Sequence, residues 1–259
     1  MVTRMKERLR QGQLVRVFPL GLFCDPRFVE IVGLCGGYHG VWLDQEHIAL
    51  PLERIEQAAR AARGAGLDSF VRLAPTDYAT VMRPLEAGAG GIMAAQVRSA
   101  RQAEEVVAWA KFAPRGLRGF NNGGFDGAYG TTPIAEYTRR ANAETFIAIQ
   151  IEHRDAVADV DRIAAVPDVD VLFIGPADLS QSLGILAEWD HPRLWEAVEQ
   201  VAAAARRHGT HWGILPPSPA HARRCVEMGC RFLSISGDVP AVRRGLQAWR
   251  EEYADIFRA

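Results

Sequence analysis

The chain has 259 residues, a formal net charge of -1 at neutral pH, 48% hydrophobic residues and 24% charged residues. A chain of that length and composition can bury a sizeable core, and one large domain spanning residues 1–259 is the expected organisation. With near-neutral charge and no run of like charges, an extended nucleic-acid groove and an anionic membrane surface are excluded as partners, leaving small molecules and further copies of the chain.

Met1 to Arg16 carries charge throughout and lacks the apolar stretch of a signal peptide. No later window is long and apolar enough to span a bilayer, so the chain is expected to be cytoplasmic. Cys24, Cys35, Cys225 and Cys230 show no CxxC or zinc-knuckle spacing and are expected to be buried, inert thiols.

Eight short runs rich in β-branched and aromatic residues then follow along the chain: 14–20, 40–44, 69–73, 91–95, 145–152, 169–175, 211–215 and 232–236. Several are nearly continuous apolar segments, as strands covered on both faces are. Between them, 52–65, 76–86, 98–111 and 194–208 space apolar residues at three and four, with charges opposite. Gly64, Gly66, Gly88, Gly209 and Gly229 fall where helix C-caps are needed. Strand and helix alternating eight times predict an α/β fold, a (β/α)8 TIM barrel of parallel strands wrapped by helices.

Polar residues recur where strands end. His47, Arg72 and Gln96 lie 25 and 24 positions apart, and Glu152 and Asp178 lie 26 apart, roughly one strand-plus-helix unit each time. In a closed parallel barrel all strand C-termini open on one face, so such residues converge. The interval after Gln96 is longer and holds a loop, 114–132, with the run Arg118-Gly-Phe-Asn-Asn-Gly-Gly-Phe125. At a barrel mouth it would serve as a lid or as an oligomer contact. It is no nucleotide-binding signature, because neither GxGxxG nor a P-loop follows a strand here.

Gln150 and Glu152 end a buried strand and point to one face, since strand side chains alternate. Asp178 follows the turn at Gly175-Pro176, one unit later. Two converging carboxylates repel unless a cation lies between them, and hard oxygen ligands suit Mg, Mn or Co. The alternative is that Glu152 pairs with Arg154 while Asp178 caps the next helix. His47 closes Asp44-Gln-Glu-His and is placed to carry a proton near neutral pH; His39, His191, His208 and His221 read as surface or satisfied side chains. Arg72 would face an anion such as a carboxylate or enolate, or else pair with Asp44 or Glu46. The two lysines, Lys6 and Lys111, both miss the strand C-termini, which argues against a Schiff-base aldolase. No Gly-x-Ser-x-Gly elbow is present either, which argues against acyl-enzyme chemistry.

Trp42-Leu-Asp-Gln-Glu-His47, Val71-Arg72, Pro84-Leu-Glu-Ala-Gly88, Gln150-Ile-Glu152 and Phe173-Ile-Gly-Pro-Ala-Asp-Leu-Ser-Gln-Ser-Leu-Gly184 together resemble the class II pyruvate aldolases of the HpcH/HpaI family. The resemblance covers nearly the whole chain. It implies a divalent metal (Mg, Mn or Co) held by Glu152 and Asp178, with pyruvate chelating it through a carboxylate oxygen and the keto oxygen. It further implies backbone amides near Ala177 and Asp178, with Gln150, positioning the pyruvate unit. Arg72 would stabilise the developing enolate, His47 would remove the hydroxyl proton, and Glu86 would orient His47. The reaction implied is reversible cleavage of a 4-hydroxy-2-oxo acid or 2-keto-3-deoxy sugar acid to pyruvate and an aldehyde, by a homo-oligomer, commonly a hexamer that exchanges its C-terminal helix, here 239–257.

Two segments depart from the family pattern: Met93-Ala-Ala-Gln96 lacks the usual Val-Pro pair, and the Asn121-Asn-Gly-Gly-Phe-Asp-Gly loop is unlike its counterparts. Both bear on the aldehyde side, which leaves the substrate open. Two other readings also stay open. A citrate-lyase or malyl-CoA-lyase type of thioester lyase would need a basic patch at the rim, and a ligand-binding barrel without turnover would show a damaged site.

Overall fold

The computed structural model describes residues 4 to 258. Eight parallel strands close a barrel in sequence order: β1 Val15–Leu20, β2 Gly40–Asp44, β3 Asp68–Leu73, β4 Gly91–Ala94, β5 Phe146–Ile151, β6 Val171–Ile174, β7 His211–Ile214 and β8 Phe232–Ser234. All eight expected runs are strands, with ends shifted by at most two residues.

Among the described residues thirteen α-helices accompany them: α1 Arg4–Arg10, α2 Pro26–Cys35, α3 Leu52–Gly64, α4 Tyr78–Glu86, α5 Ala100–Ala110, α6 Ile134–Glu144, α7 Arg154–Ala158, α8 Val160–Ala164, α9 Pro176–Ser182, α10 Pro192–His208, α11 Pro219–Glu227, α12 Asp238–Glu252 and α13 Ala254–Phe257. None of the helices in the described residues is long and apolar enough to cross a membrane. Gly66, Gly88, Gly209 and Gly229 have positive φ just past helix ends, as expected, whereas Gly64 is still helical and Ala65 is the cap of α3.

Aromatic rings fill the barrel interior. Phe70 and Phe146 lie 5.3 Å apart, Phe146 and Phe232 5.5 Å, and Trp42 and Phe173 5.6 Å. Rings this close need small neighbours: a Cβ on Gly91 or Gly213 would come within 2.6 or 2.7 Å of the Cβ of Phe146 or Phe232. α1 closes the floor, the end where the strands begin, with Met5 and Leu9 buried in this cluster. Lys6 and Lys111 are buried at that same end, both donating to the carbonyl of Thr145, and so lie away from the mouth as expected.

The 114–132 loop also lies at the floor, which corrects its expected place at the mouth. It follows α5, which runs back against the strand direction, and is fastened there by Leu117 N–H to Ala108 O (2.6 Å) and Arg118 N–H to Lys111 O (2.8 Å). Phe125 fills the space beside Gly88 and is covered by the guanidinium groups of Arg60 and Arg63, 4.5 and 4.0 Å from its ring centre. This loop therefore cannot be a lid over its own barrel. Of the thiols, Cys24, Cys225 and Cys230 are buried as expected, but Cys35 is exposed at the end of α2.

Candidate active site

The mouth of the barrel is organised by Asp44, the last residue of β2. Its Oδ1 accepts from the backbone N–H of Glu46 at 3.1 Å and of His47 at 3.4 Å, fixing the turn that leaves the strand. The same carboxylate receives Arg72 in a fork, Nε at 3.1 Å and Nη2 at 2.7 Å, across the β2–β3 pairing that sets the two residues side by side. Arg72 lies over the Trp42 ring, 4.7 Å from its centre, and its Nη1 is 3.3 Å from Glu46 Oε2. The expected alternative for Arg72 is thus realised: it is paired, with both Asp44 and Glu46. The remaining hydrogens on Nη1 and Nη2 are those a substrate oxygen can use.

Glu152 follows β5 and is 2% exposed, as is Gln150. Neither a pairing with Arg154 nor capping by Asp178 occurs: α9 is capped at Gly175 without a side-chain bond, and Asp178 sits in its first turn. Glu152 instead accepts from the backbone N–H of Gln96 at 2.7 Å and from the Gln150 side-chain amide. Gln96 reaches it because its backbone is left-handed, with φ 57°. Gly175 leaves room for the pair, since a Cβ there would lie 2.7 Å from both Gln150 Nε2 and Glu152 Oε2. Burial is the main cause that pushes Glu152 up to about 7; the charges of Glu46 and Asp178 add to it, while the Gln96 N–H and Arg72 act in the opposite direction.

His47 is exposed, its Nε2 3.6 Å from Glu46 Oε2. Glu46 is itself raised above the ordinary carboxylate range by burial, with Arg72 and His47 opposing and Asp44 and Asp178 adding. Glu86 is not brought to this group. It ends α4 at the floor, where its backbone carbonyl is 3.3 Å from the Cβ position of Gly124, so within one chain it cannot orient His47. The sequence missed Glu46 as a site residue and Gln96 as a backbone donor; Glu46 could have been found from its place inside the Asp-Gln-Glu-His turn.

These residues fit a divalent cation. Glu152 is a buried hard-oxygen donor within the field of Asp178 and Glu46, and beside it Gln150 Oε1 is buried without a hydrogen bond. Among the described residues no cluster of three or more His, Cys, Asp or Glu side chains is placed to hold a metal by itself. That suits an ion that keeps open positions for water and substrate.

A parallel barrel that gathers carboxylates, a forked arginine and a histidine at its strand C-termini can bind an anionic substrate and stabilise negative charge that develops on it. The family model described as HpcH/HpaI aldolase/citrate lyase matches residues 34–244. The chain belongs to this family and is an aldolase, a carbon–carbon lyase. It is 31% identical over 242 residues to the 5-keto-4-deoxy-D-glucarate aldolase of Klebsiella pneumoniae, covering 92% of each chain. The HpcH/HpaI aldolase from Desulfitobacterium hafniense DCB-2 superposes with a TM-score of 0.88 at 35% identity, over 95% of this chain and 96% of that one. A family protein from Burkholderia cenocepacia J2315 gives 0.89 at 32% identity, over 97% and 99%.

Proposed function

We propose that the enzyme cleaves a 2-keto-3-deoxy sugar acid, or a related 4-hydroxy-2-oxo acid, reversibly to pyruvate and an aldehyde. The sugar-acid class is favoured by the relative named for 5-keto-4-deoxy-D-glucarate. The observation that carries the reading is the buried Glu152, held by Gln96 and Gln150 and facing the charge of Asp178, on the same rim as Arg72.

Glu152 and Asp178 hold Mg, Mn or Co. When bound, the ion polarises the keto group of the substrate and offsets the negative charge that develops on it. Gln150 and the amides near Ala177 and Asp178 orient the carboxylate end of the pyruvate unit. His47 takes the proton from the C4 hydroxyl; the C3–C4 bond breaks as the C4 carbonyl forms, and the bonding pair becomes the pyruvate enolate. Arg72 donates its free N–H groups to the oxygen on which charge accumulates. A proton delivered to C3 completes pyruvate.

The working enzyme is a cytoplasmic homo-oligomer. Leu246, Trp249, Ile256 and Phe257 of α12 and α13 are all exposed, and an apolar surface of this kind is covered by further copies of the chain. Whether Glu86 orients a histidine then rests on contact between copies. Release of pyruvate from a panel of 4-hydroxy-2-oxo acids, followed with coupled lactate dehydrogenase, tests the activity. No release with any added divalent metal would overturn it.

A further inference from the structure

We propose that Glu46 is a positioning residue that fixes Arg72 and His47 relative to each other without binding the metal. The proposal rests on the aldolase reading above and deepens it. Glu46 Oε2 lies 3.3 Å from Arg72 Nη1 and 3.6 Å from His47 Nε2, so one carboxylate oxygen stands beside both polar groups assigned to the substrate. Asp44 cannot do this work, because its two oxygens are engaged by the Nε and Nη2 of Arg72 and by the backbone of the turn.

The geometry is that of a held charge and not of a ligand. The Glu46 side chain is 8% exposed and its Oε2 has no hydrogen bond, and it lies 3.3 Å from a guanidinium that is itself 12% exposed. A guanidinium pinned on one edge by Asp44 and stacked on Trp42 can still tilt about the Asp44 fork; a carboxylate beside Nη1 removes that tilt. His47 is the opposite case, an exposed ring on a turn, for which Glu46 is the one side chain within ion-pair distance among the described residues. Both groups must meet oxygens of the same substrate, and displacing a catalytic group by about 1 Å can cost on the order of 100-fold.

The test compares wild type with Glu46→Gln, which keeps the shape and removes the charge. Activity on the best substrate of the panel is measured alongside Mn titration of the metal-free protein by calorimetry. The expected result is a kcat lower by roughly 10- to 100-fold, with KM changed far less and metal affinity within about threefold of wild type. A kcat within about twofold of wild type overturns the proposal. A metal affinity that falls in step with kcat overturns it also, because Glu46 would then be a ligand. Should Glu46→Gln not fold, Glu46→Asp, which keeps the charge and shortens the reach, is expected to show the same split and is judged by the same criteria. A wild-type enzyme that releases no pyruvate from any substrate fails at the earlier step and indicts the aldolase reading instead.

Discussion

The backbone N–H of Gln96 donates to Glu152 Oε1 at 2.7 Å, joining the end of β4 to the carboxylate that follows β5. This bond aims one oxygen of Glu152, and the Gln150 amide aims the other, under a glycine turn with no room for a side chain. Gly175→Ala is therefore expected to displace Glu152. Overpacking of this kind costs about 1–3 kcal/mol. Thermal unfolding should show that loss, and metal titration should show weaker binding in the same variant.

Glu152 also sets a pH dependence. Burial lifts it from 4.5 to about 7 in the metal-free protein, so the folded state holds this proton more tightly than the unfolded chain does. Its contribution to stability is full below 4.5 and is lost as pH rises through about 7. Metal-free enzyme should accordingly lose melting temperature across this window, and saturating Mn should offset the loss, because the ionised carboxylate is the form that binds metal. Glu152→Gln should abolish this decline, read by melting curves with and without chelator.

Lys111 acts in the opposite direction and in a higher window. It is fully buried, donates to the carbonyls of Asn142 and Thr145, and is lowered from 10.5 to about 7 chiefly by burial, with the charge of Lys6 second. The folded state favours the neutral amine, so its contribution is absent below about 7 and grows as pH rises toward 10.5. Metal-saturated wild type should gain stability across that range. Lys111→Met should not, as melting curves over a pH series will read.

Arg72→Lys tests the fork on Asp44. A lysine keeps the charge but cannot donate side by side to both carboxylate oxygens while offering further N–H groups to substrate. We expect kcat/KM to fall by roughly 100-fold, with most of the loss in kcat, and metal affinity to be retained. Steady-state kinetics on one substrate lot, with calorimetry beside it, checks this.

The sequence made much of this arrangement legible for a simple reason. Alternating strands and helices force every strand C-terminus onto one face, so His47, Arg72, Glu152 and Asp178 could be assigned to a rim from spacing, and Gln150 from the alternation of side chains along its strand. What escaped notice obeys a different logic. Glu86 stands in a family-like segment, yet α4 carries it back to the floor, and the 114–132 loop goes the same way after α5. Gln96 acts through its main chain, in a backbone conformation that no side-chain pattern announces. Arg72 was legible as a charge facing an anion, but the protein supplies that anion itself, twice.

The central claim is that Glu152 and Asp178 hold the divalent ion. Calorimetric titration of metal-free wild type, Glu152→Gln and Asp178→Asn with Mn tests it directly. One site per chain in wild type, with affinity lowered by at least about 100-fold in each variant while both stay folded, is the predicted result. Affinity retained in either variant would contradict the account.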